Sequence, residues 1–538
     1  MLLNEGDLQL LNSIKDLKLG FNDAVNYKRR ENKDVFNRIF IKNEKLEKLM
    51  NPSTYFLLGD KGTGKTAYAV WLNNNEYKNT SSILNDIRET EYLKFVAMKK
   101  ENNLNLSDYT NIWRVILLLL MSKQIYNTEG QENLLNKFWK FKAINKAIDQ
   151  YYDGAFKAEI LSAIEFVSDS SKSAKLLAKN FELLGTNNDS KSFTESKYQV
   201  NLLYIQRKFE DAIHSLKLKK NHVVFIDGVD LRPTGIKYEE YLECVKGLAN
   251  AVWSINNDFF SSINDSKGRL KVVILLRPDI FNAIGLQNSN NRIRDNAVLL
   301  DWRIPYSHFK NSELFKLPNR LLSIDQKNKL DDINSYWDNY FPYTVRSNKN
   351  NNEHSFISFL RFSYFRPRDI VTMLCILQEL HINNGYERNF FTQQDFEDSH
   401  FRRLYSEYLL GEAKDHLSFY YSDTDYKNFL KFFEFLRGKF SFSFDDYKHA
   451  YDEFVSFLAR EKEHIPDFLE TEIKFLQFLY ELNIIFCVEE STDGKTFVFW
   501  CFRDRTVSNI APRVKTKCKY EIFYGLGKAL NMGKQFIE

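Results

Sequence analysis

Residues Gly59-Asp60-Lys61-Gly62-Thr63-Gly64-Lys65-Thr66 follow the pattern G-x-x-x-x-G-K-[ST]. The loop stands between an apolar run, Tyr55-Phe56-Leu57-Leu58, and a helix-prone stretch, Ala67-Tyr68-Ala69-Val70-Trp71-Leu72. A strand, a glycine turn and a helix in that order confine this part of the chain to an α/β layer with the loop at the sheet's C-terminal edge. Each residue type has a chemical reason. Glycine lets consecutive backbone N–H groups turn toward one anion. The helix N-terminus around Ala67 adds positive potential at the same place. Lys65 is long enough to reach a β- or γ-phosphate, and the Thr66 hydroxyl suits Mg²⁺. Residues Gly59 to Ala67 are therefore the expected nucleotide-binding segment, with ATP and Mg²⁺ as cofactors. The bland alternative is a chance glycine turn ahead of a helix. Only 20 of the 538 residues are glycine, yet three fall within six positions at the required junction, which disfavours chance.

Four further short apolar runs, Leu93–Met98, Val223–Ile226, Val272–Leu276 and Ala297–Leu300, are separated by helical sequence. That spacing predicts buried parallel strands with helical crossovers, and hence an α/β core over residues 51–303 behind a helical lead-in over 1–50. Helices are expected at Thr110–Ile125, Tyr238–Ile255 and Pro278–Ile284. A long helical stretch at about 128–220, broken by the turn-rich Gly185–Ser190, is expected to be an insertion on that core.

Val223-Val224-Phe225-Ile226-Asp227 has the form of a buried strand that delivers a carboxylate to the ligand-binding edge. Asp227 is the expected Mg²⁺ ligand beside Thr66. Asp230, three residues on, is expected to orient the attacking water or accept its proton. The structural alternative is an ordinary Asp-Gly turn after a strand. Arg277 ends the next apolar run, where a guanidinium could contact a γ-phosphate or simply pair with Asp279. Arg292 and Arg294 precede the last strand. Either could enter a neighbouring molecule's site in an oligomer, and a solvated surface charge is the equal alternative.

The charge balance, 75 Lys+Arg against 71 Asp+Glu, is too even to argue for nucleic acid on its own. The five cysteines contain no C-x-x-C pair, which points to reduced thiols rather than to a disulfide frame or a zinc site. The N-terminal residues lack a basic, then apolar, leader, and the longest apolar run, Val115 to Met121, is too short for a bilayer. The expectation is a cytoplasmic protein without a membrane span. Nine histidines are scattered singly, and no nuclease, protease or deaminase pattern is present.

The Gly59–Thr66 loop, the Asp227-Gly228-Val229-Asp230 edge and the Leu276-Arg277-Pro278 edge together resemble AAA+-related P-loop ATPases. The resemblance is to the STAND/KAP-like branch and to orphan bacterial P-loop ATPases found with antiviral defence genes, and it covers about residues 20–385. It implies a P-loop NTPase sheet of strand order 5-1-4-3-2 and a helical lid over 304–390. Phe365-Arg366-Pro367-Arg368-Asp369 is similar to a second-sensor motif, which makes Arg366 and Arg368 nucleotide-binding candidates. The chain departs from ordinary AAA+ enzymes in lacking a Glu beside Asp227, which implies slow turnover, as in a switch. It also implies a homo-oligomer or a protein partner that carries the effector activity.

Residues 391–538 are expected to form a winged-helix-like α+β domain, with helix Tyr426–Leu436, an extended run Phe440–Phe444, helices Asp445–Arg460 and Pro466–Leu482, then strands Ile484–Val488 and Thr496–Phe502 about the turn Thr492-Asp493-Gly494. The helix in the recognition position carries Asp467, Glu470, Glu472 and Glu481 against Lys474, a surface that repels phosphate. Lys495, Arg503, Arg505, Arg513, Lys515, Lys517 and Lys519 make the 495–519 segment basic, so nucleic acid could bind there. The leading expectation is a nucleotide-driven switch or assembly factor, and the alternative is a DNA-engaging ATPase of the initiator or loader type.

Overall fold

The computed structural model describes residues 11–87, 106–129, 203, 206–207, 209–232, 236–346, 352–506, 509 and 511–533. The expected strand Leu93–Met98, most of the expected insertion and the Gly185–Ser190 break lie outside the described residues. The chain divides into two compact units, one of Asn43–Gly59 and Lys65–Leu300, the other of Met1–Lys42, Asp60–Gly64 and Asp301–Glu538. This division cuts the expected lead-in between residues 42 and 43 and gathers the whole C-terminal half into one unit.

The first unit is built on five parallel strands: β1 (Phe56–Leu58), β2 (Thr80–Asp86), β3 (Asn221–Asp227), β4 (Leu270–Leu276) and β5 (Ala297–Leu299). They lie in the order β2-β3-β4-β1-β5, which from the other edge reads 5-1-4-3-2. β1 and β4 are buried along their whole length, as their unbroken apolar sequences require. β2 was not among the expected strands. Among the described residues β2 pairs only with β3, and Thr80-Ser81-Ser82-Ile83-Leu84-Asn85-Asp86 is half polar and buried on part of its surface.

Six helices of this unit bear on the site: α1 (Glu44–Met50), α2 (Lys65–Asn74), α3 (Leu106–Glu129), α4 (Tyr238–Ser254), α5 (Pro278–Ala283) and α6 (Ser289–Asn296). α3 and α4 pack at Gly247, where an added Cβ would lie 2.5 Å from the Tyr109 Cβ. After α4 the Asn256 side chain accepts from Val272 N at 2.9 Å and donates to Val272 O at 2.8 Å, fastening the end of the crossover to β4.

In the second unit one buried cluster runs from Leu11 through Trp337, Phe359, Leu374, Phe401, Phe432 and Phe475 to Met532. It is dominated by the aromatic residues in which the chain is rich. Its helices include α7 (Glu313–Leu322), α8 (Pro367–Asn383), α9 (Ser399–Tyr420), α10 (Asp423–Phe435), α11 (Phe444–Glu461) and α12 (Glu472–Glu481). Ser422 with Asp425 and Ser443 with Asp446 close capping boxes at the starts of α10 and α11. A second sheet, all antiparallel, joins β6 (Ser441–Phe442), β7 (Ile485–Glu490), β8 (Thr496–Phe499) and β9 (Lys519–Ile522) in the order β8-β7-β9-β6. The expected succession of helix, strand, helix, helix and hairpin is present, with Gly494 at φ +74° in the turn. β9 was not expected: it begins at the last residue of the basic run and is only four residues long. No helix among the described residues is long and apolar enough to cross a membrane.

Candidate functional site

β1 ends at Leu58 and α2 opens at Lys65, with Gly62 at φ +85° and Gly64 at φ +96° between them. L side chains rarely adopt that conformation, so both glycines are required by the turn itself. Within the first unit the nearly buried Lys65 ammonium donates to Gly59 O at 2.8 Å. The Thr66 hydroxyl donates to Asp227 Oδ2 at 2.6 Å, and Gly228 N donates to Asp227 Oδ1 at 2.9 Å. Gly228 itself sits at φ +80°, where a Cβ would fall 2.5 Å from Ile87 O.

Asp227 is buried, and its pKa is pushed up to about 6. Burial is the main cause. The charges of Asp230 and Asp86 add to it, while the Thr66 hydrogen bond and Lys65 act the other way. Asp86 escaped the sequence reading. It stands beside Asp227 because β2 and β3 run parallel with those two residues in register. No local pattern marks it; only the pairing of β2 does.

A hydroxyl and a carboxylate in hydrogen-bond contact, both hard oxygen donors, form a set suited to Mg²⁺. Among the described residues no group of three or more His, Cys, Asp or Glu is arranged to hold a metal.

Arg277 and Arg292 of this unit each have a partner. Arg277, 2% exposed, clasps Asp279 through Nε at 3.1 Å and Nη2 at 2.7 Å, the pairing that was the structural alternative. The Arg292 guanidinium lies over the Trp253 ring, 4.2 Å from its centroid, and Trp253 meets Tyr55 edge-on at 5.8 Å. Tyr55 precedes β1, so Arg292 is at the sheet edge opposite to its own loop. Arg294 is exposed on the same helix, α6. Neither residue is brought to Thr66 and Asp227 of the same chain.

Within the second unit the segment Asp60–Gly64 is held residue by residue. Arg366 Nη1 donates to Lys61 O at 2.8 Å, Arg368 N to Gly62 O at 3.4 Å, and Trp302 Nε1 to Thr63 O at 2.9 Å. Lys61 pairs with Glu412 at 3.3 Å and with Asp415, and Arg505 pairs with Asp60. An added Cβ on Gly62 would stand 3.2 Å from the Arg368 Cβ.

Arg366 is buried, stacks over Tyr364 at 4.9 Å and grips Asp369 at 2.6 Å. Burial works against its charge, but Asp369, Tyr408 and Glu412 outweigh it, and its pKa is raised well above the ordinary arginine value. Arg366 and Arg368, expected as nucleotide-binding candidates, touch the segment Asp60–Gly64 through its backbone carbonyls. The contacts from Trp302, Glu412 and Arg505 were not expected. Neither a protein-family model nor a curated protein matches the chain.

Proposed function

We propose that the protein is a Mg·ATP-binding P-loop ATPase that works as a nucleotide-driven switch or assembly factor. The observation that carries this reading is the 2.6 Å contact between Thr66 and Asp227, at the end of a G-x-x-x-x-G-K-T loop whose Lys65 lies back along the loop toward Gly59. The backbone amides of Gly62 to Ala67 and Lys65 bind and orient the β- and γ-phosphates. Thr66 and Asp227 would hold Mg²⁺, which when bound supplies charge neutralisation at the phosphoryl group. Asp230 orients the attacking water or takes its proton. Arg277 stands at the end of the adjacent strand, where exchange of its Asp279 partner for phosphate would report the γ-phosphate.

The parallel sheet of order 5-1-4-3-2 supports placement among the AAA+-related P-loop ATPases, and the C-terminal α+β elements support a winged-helix-like module. The resemblance to STAND/KAP-like ATPases adds a setting: a bacterial defence system in which a separate partner, or further copies of this chain, carries the response. Slow turnover follows from the absence of a Glu beside Asp227.

Titration calorimetry of ATP into the full chain, with and without Mg²⁺, beside steady-state phosphate release, tests the reading. Lys65→Ala is expected to abolish binding. Unchanged ATP affinity in a correctly folded Lys65→Ala protein would overturn it.

A further inference from the structure

Three cations of the second unit close on one carboxylate. Glu412 lies on α9, with its side chain 12% exposed. Lys61 Nζ stands 3.3 Å from Glu412 Oε1, Arg368 Nη1 3.5 Å from the same oxygen, and Arg366 Nη1 3.5 Å from Oε2. A charge-assisted N–H···O bond closes to about 2.7–2.9 Å. None of the three reaches that length, and Oε2 accepts no hydrogen bond among the described residues. The carboxylate is surrounded by positive charge without being gripped by it.

The neighbouring carboxylates are held differently. Asp369 is fully buried and accepts from Arg366 Nη2 at 2.6 Å, from the Tyr364 amide at 2.9 Å and from the Tyr408 hydroxyl at 3.3 Å. Asp415, one turn along α9, is exposed and pairs with Lys61. Glu412, Asp369 and Asp415 balance Lys61, Arg366 and Arg368. A further anion entering there repels all three carboxylates, and the one with the weakest hold yields first. That one is Glu412. The cations themselves are fixed against the loop. Arg366 Nη1 donates to Lys61 O and Arg368 N to Gly62 O. An added Cβ on Gly62 would stand 3.2 Å from Arg368 Cβ and 3.6 Å from Arg366 Cδ.

A nucleotide held by this loop brings such an anion. The loop amides serve the β-phosphate, which leaves the γ-phosphate to side-chain cations. A terminal phosphate carries about two negative charges on three oxygens, against one charge on two oxygens for a carboxylate, and draws shorter bonds from several cations at once. We propose that Glu412 is a specificity-determining residue for the nucleotide: its carboxylate competes with the γ-phosphate of ATP for Lys61, Arg366 and Arg368, and ADP leaves it in place. This rests on the nucleotide reading above and adds to it what sets the ratio of ATP to ADP affinity. ATP loses part of its affinity in moving Glu412 aside, whereas ADP does not.

Titration calorimetry of Mg·ATP and Mg·ADP into the full-length protein tests this. Glu412→Gln keeps the shape and removes the charge. It is expected to bind ATP about tenfold more tightly than the wild type, and ADP within about twofold. Glu412→Asp draws the carboxylate back by one methylene and is expected to shift the ratio in the same direction by less; it carries the test where Glu412→Gln does not fold. Arg368→Ala in the Glu412→Gln background should return ATP affinity toward the wild-type value. A Glu412 that only supports the fold would move both nucleotides together. If the wild type binds both nucleotides and the folded Glu412 variants keep its ATP-to-ADP ratio, this proposal alone is overturned. If the wild type binds neither nucleotide, the nucleotide reading falls and the proposal falls with it.

Discussion

Thr66 Oγ1 donates to Asp227 Oδ2 across 2.6 Å, joining the first turn of α2 to the C-terminal end of β3. The contact links residues 161 positions apart and sets a hydroxyl against a carboxylate, the pair proposed to hold Mg²⁺. Thr66→Ala and Asp227→Asn are each expected to lower Mg²⁺-dependent hydrolysis by at least about tenfold, roughly 1.4 kcal/mol in the barrier. ATP affinity in EDTA should change little. Phosphate release across a Mg²⁺ titration, beside calorimetry without the metal, checks this; equal losses with and without Mg²⁺ would move the metal elsewhere.

Arg505 pairs with Asp60 of the loop although it belongs to the C-terminal segment. Arg505→Ala removes a guanidinium from the Asp60 carboxylate, in the segment where phosphates are expected. Nucleotide affinity should fall by on the order of tenfold. Asp60→Asn in the same background should restore part of the loss, because it removes a negative charge from the loop. Competition with a fluorescent nucleotide reads both effects.

Arg292 and Arg294 should separate. Arg292→Ala removes a guanidinium from the Trp253 face and is expected to cost about 1 kcal/mol of folding stability. Arg294→Ala should leave the melting temperature unchanged but lower turnover at protein concentrations where copies associate. Added Lys65→Ala protein, with its own Arg294 intact, should rescue that turnover in trans. Turnover independent of concentration in the wild type, with no rescue, would mean that each chain's site is complete.

Lys271 on β4 is buried, and its amine donates to Leu49 O at 2.5 Å and Asn51 O at 2.9 Å, at the end of α1. Burial pushes its pKa down to about 7. The unfolded chain holds this proton up to the ordinary lysine range, so between about pH 7 and 10 it binds the proton that the folded chain refuses. Stability therefore rises with pH through that window, by about 1.4 kcal/mol per unit at most, and is lowest below it. Chemical denaturation at pH 6.5 and 8.5 should show the rise in the wild type and a flatter dependence in Lys271→Met.

Within the basic segment Lys515 pairs with Glu489 at 2.7 Å, Lys495 with Asp493 at 2.8 Å and Lys519 with Glu521 at 3.8 Å. Arg513 and Lys517 are left without an ion pair among the described residues. Binding to plain duplex DNA should be weak, with log K falling by less than about 2 per decade of salt, the slope for roughly two phosphate contacts. Micromolar binding with a steep salt slope would favour the initiator or loader reading, and charge reversal at Arg513, Lys515 and Lys517 should then flatten that slope.

The sequence by itself determined what is local. The loop was legible because glycine spacing, Lys65 and Thr66 are adjacent in the chain, and because β1, β3 and β4 are continuous apolar runs that admit few placements. The helices expected at Tyr426–Leu436 and Asp445–Arg460 are present but start earlier, behind the caps Ser422 and Ser443, which those expectations did not use. Tertiary structure decided the rest. β2 is polar enough to pass for a loop until it is seen to pair with β3, and only that register sets Asp86 beside Asp227. Arg277 offered two partners, and the turn into α5 delivered Asp279. Arg505 and Asp60 lie 445 positions apart, and Lys271 reaches the Leu49 carbonyl across 222 positions. Contacts of that kind leave no periodicity in the chain, because their geometry comes from packed elements rather than from neighbouring residues.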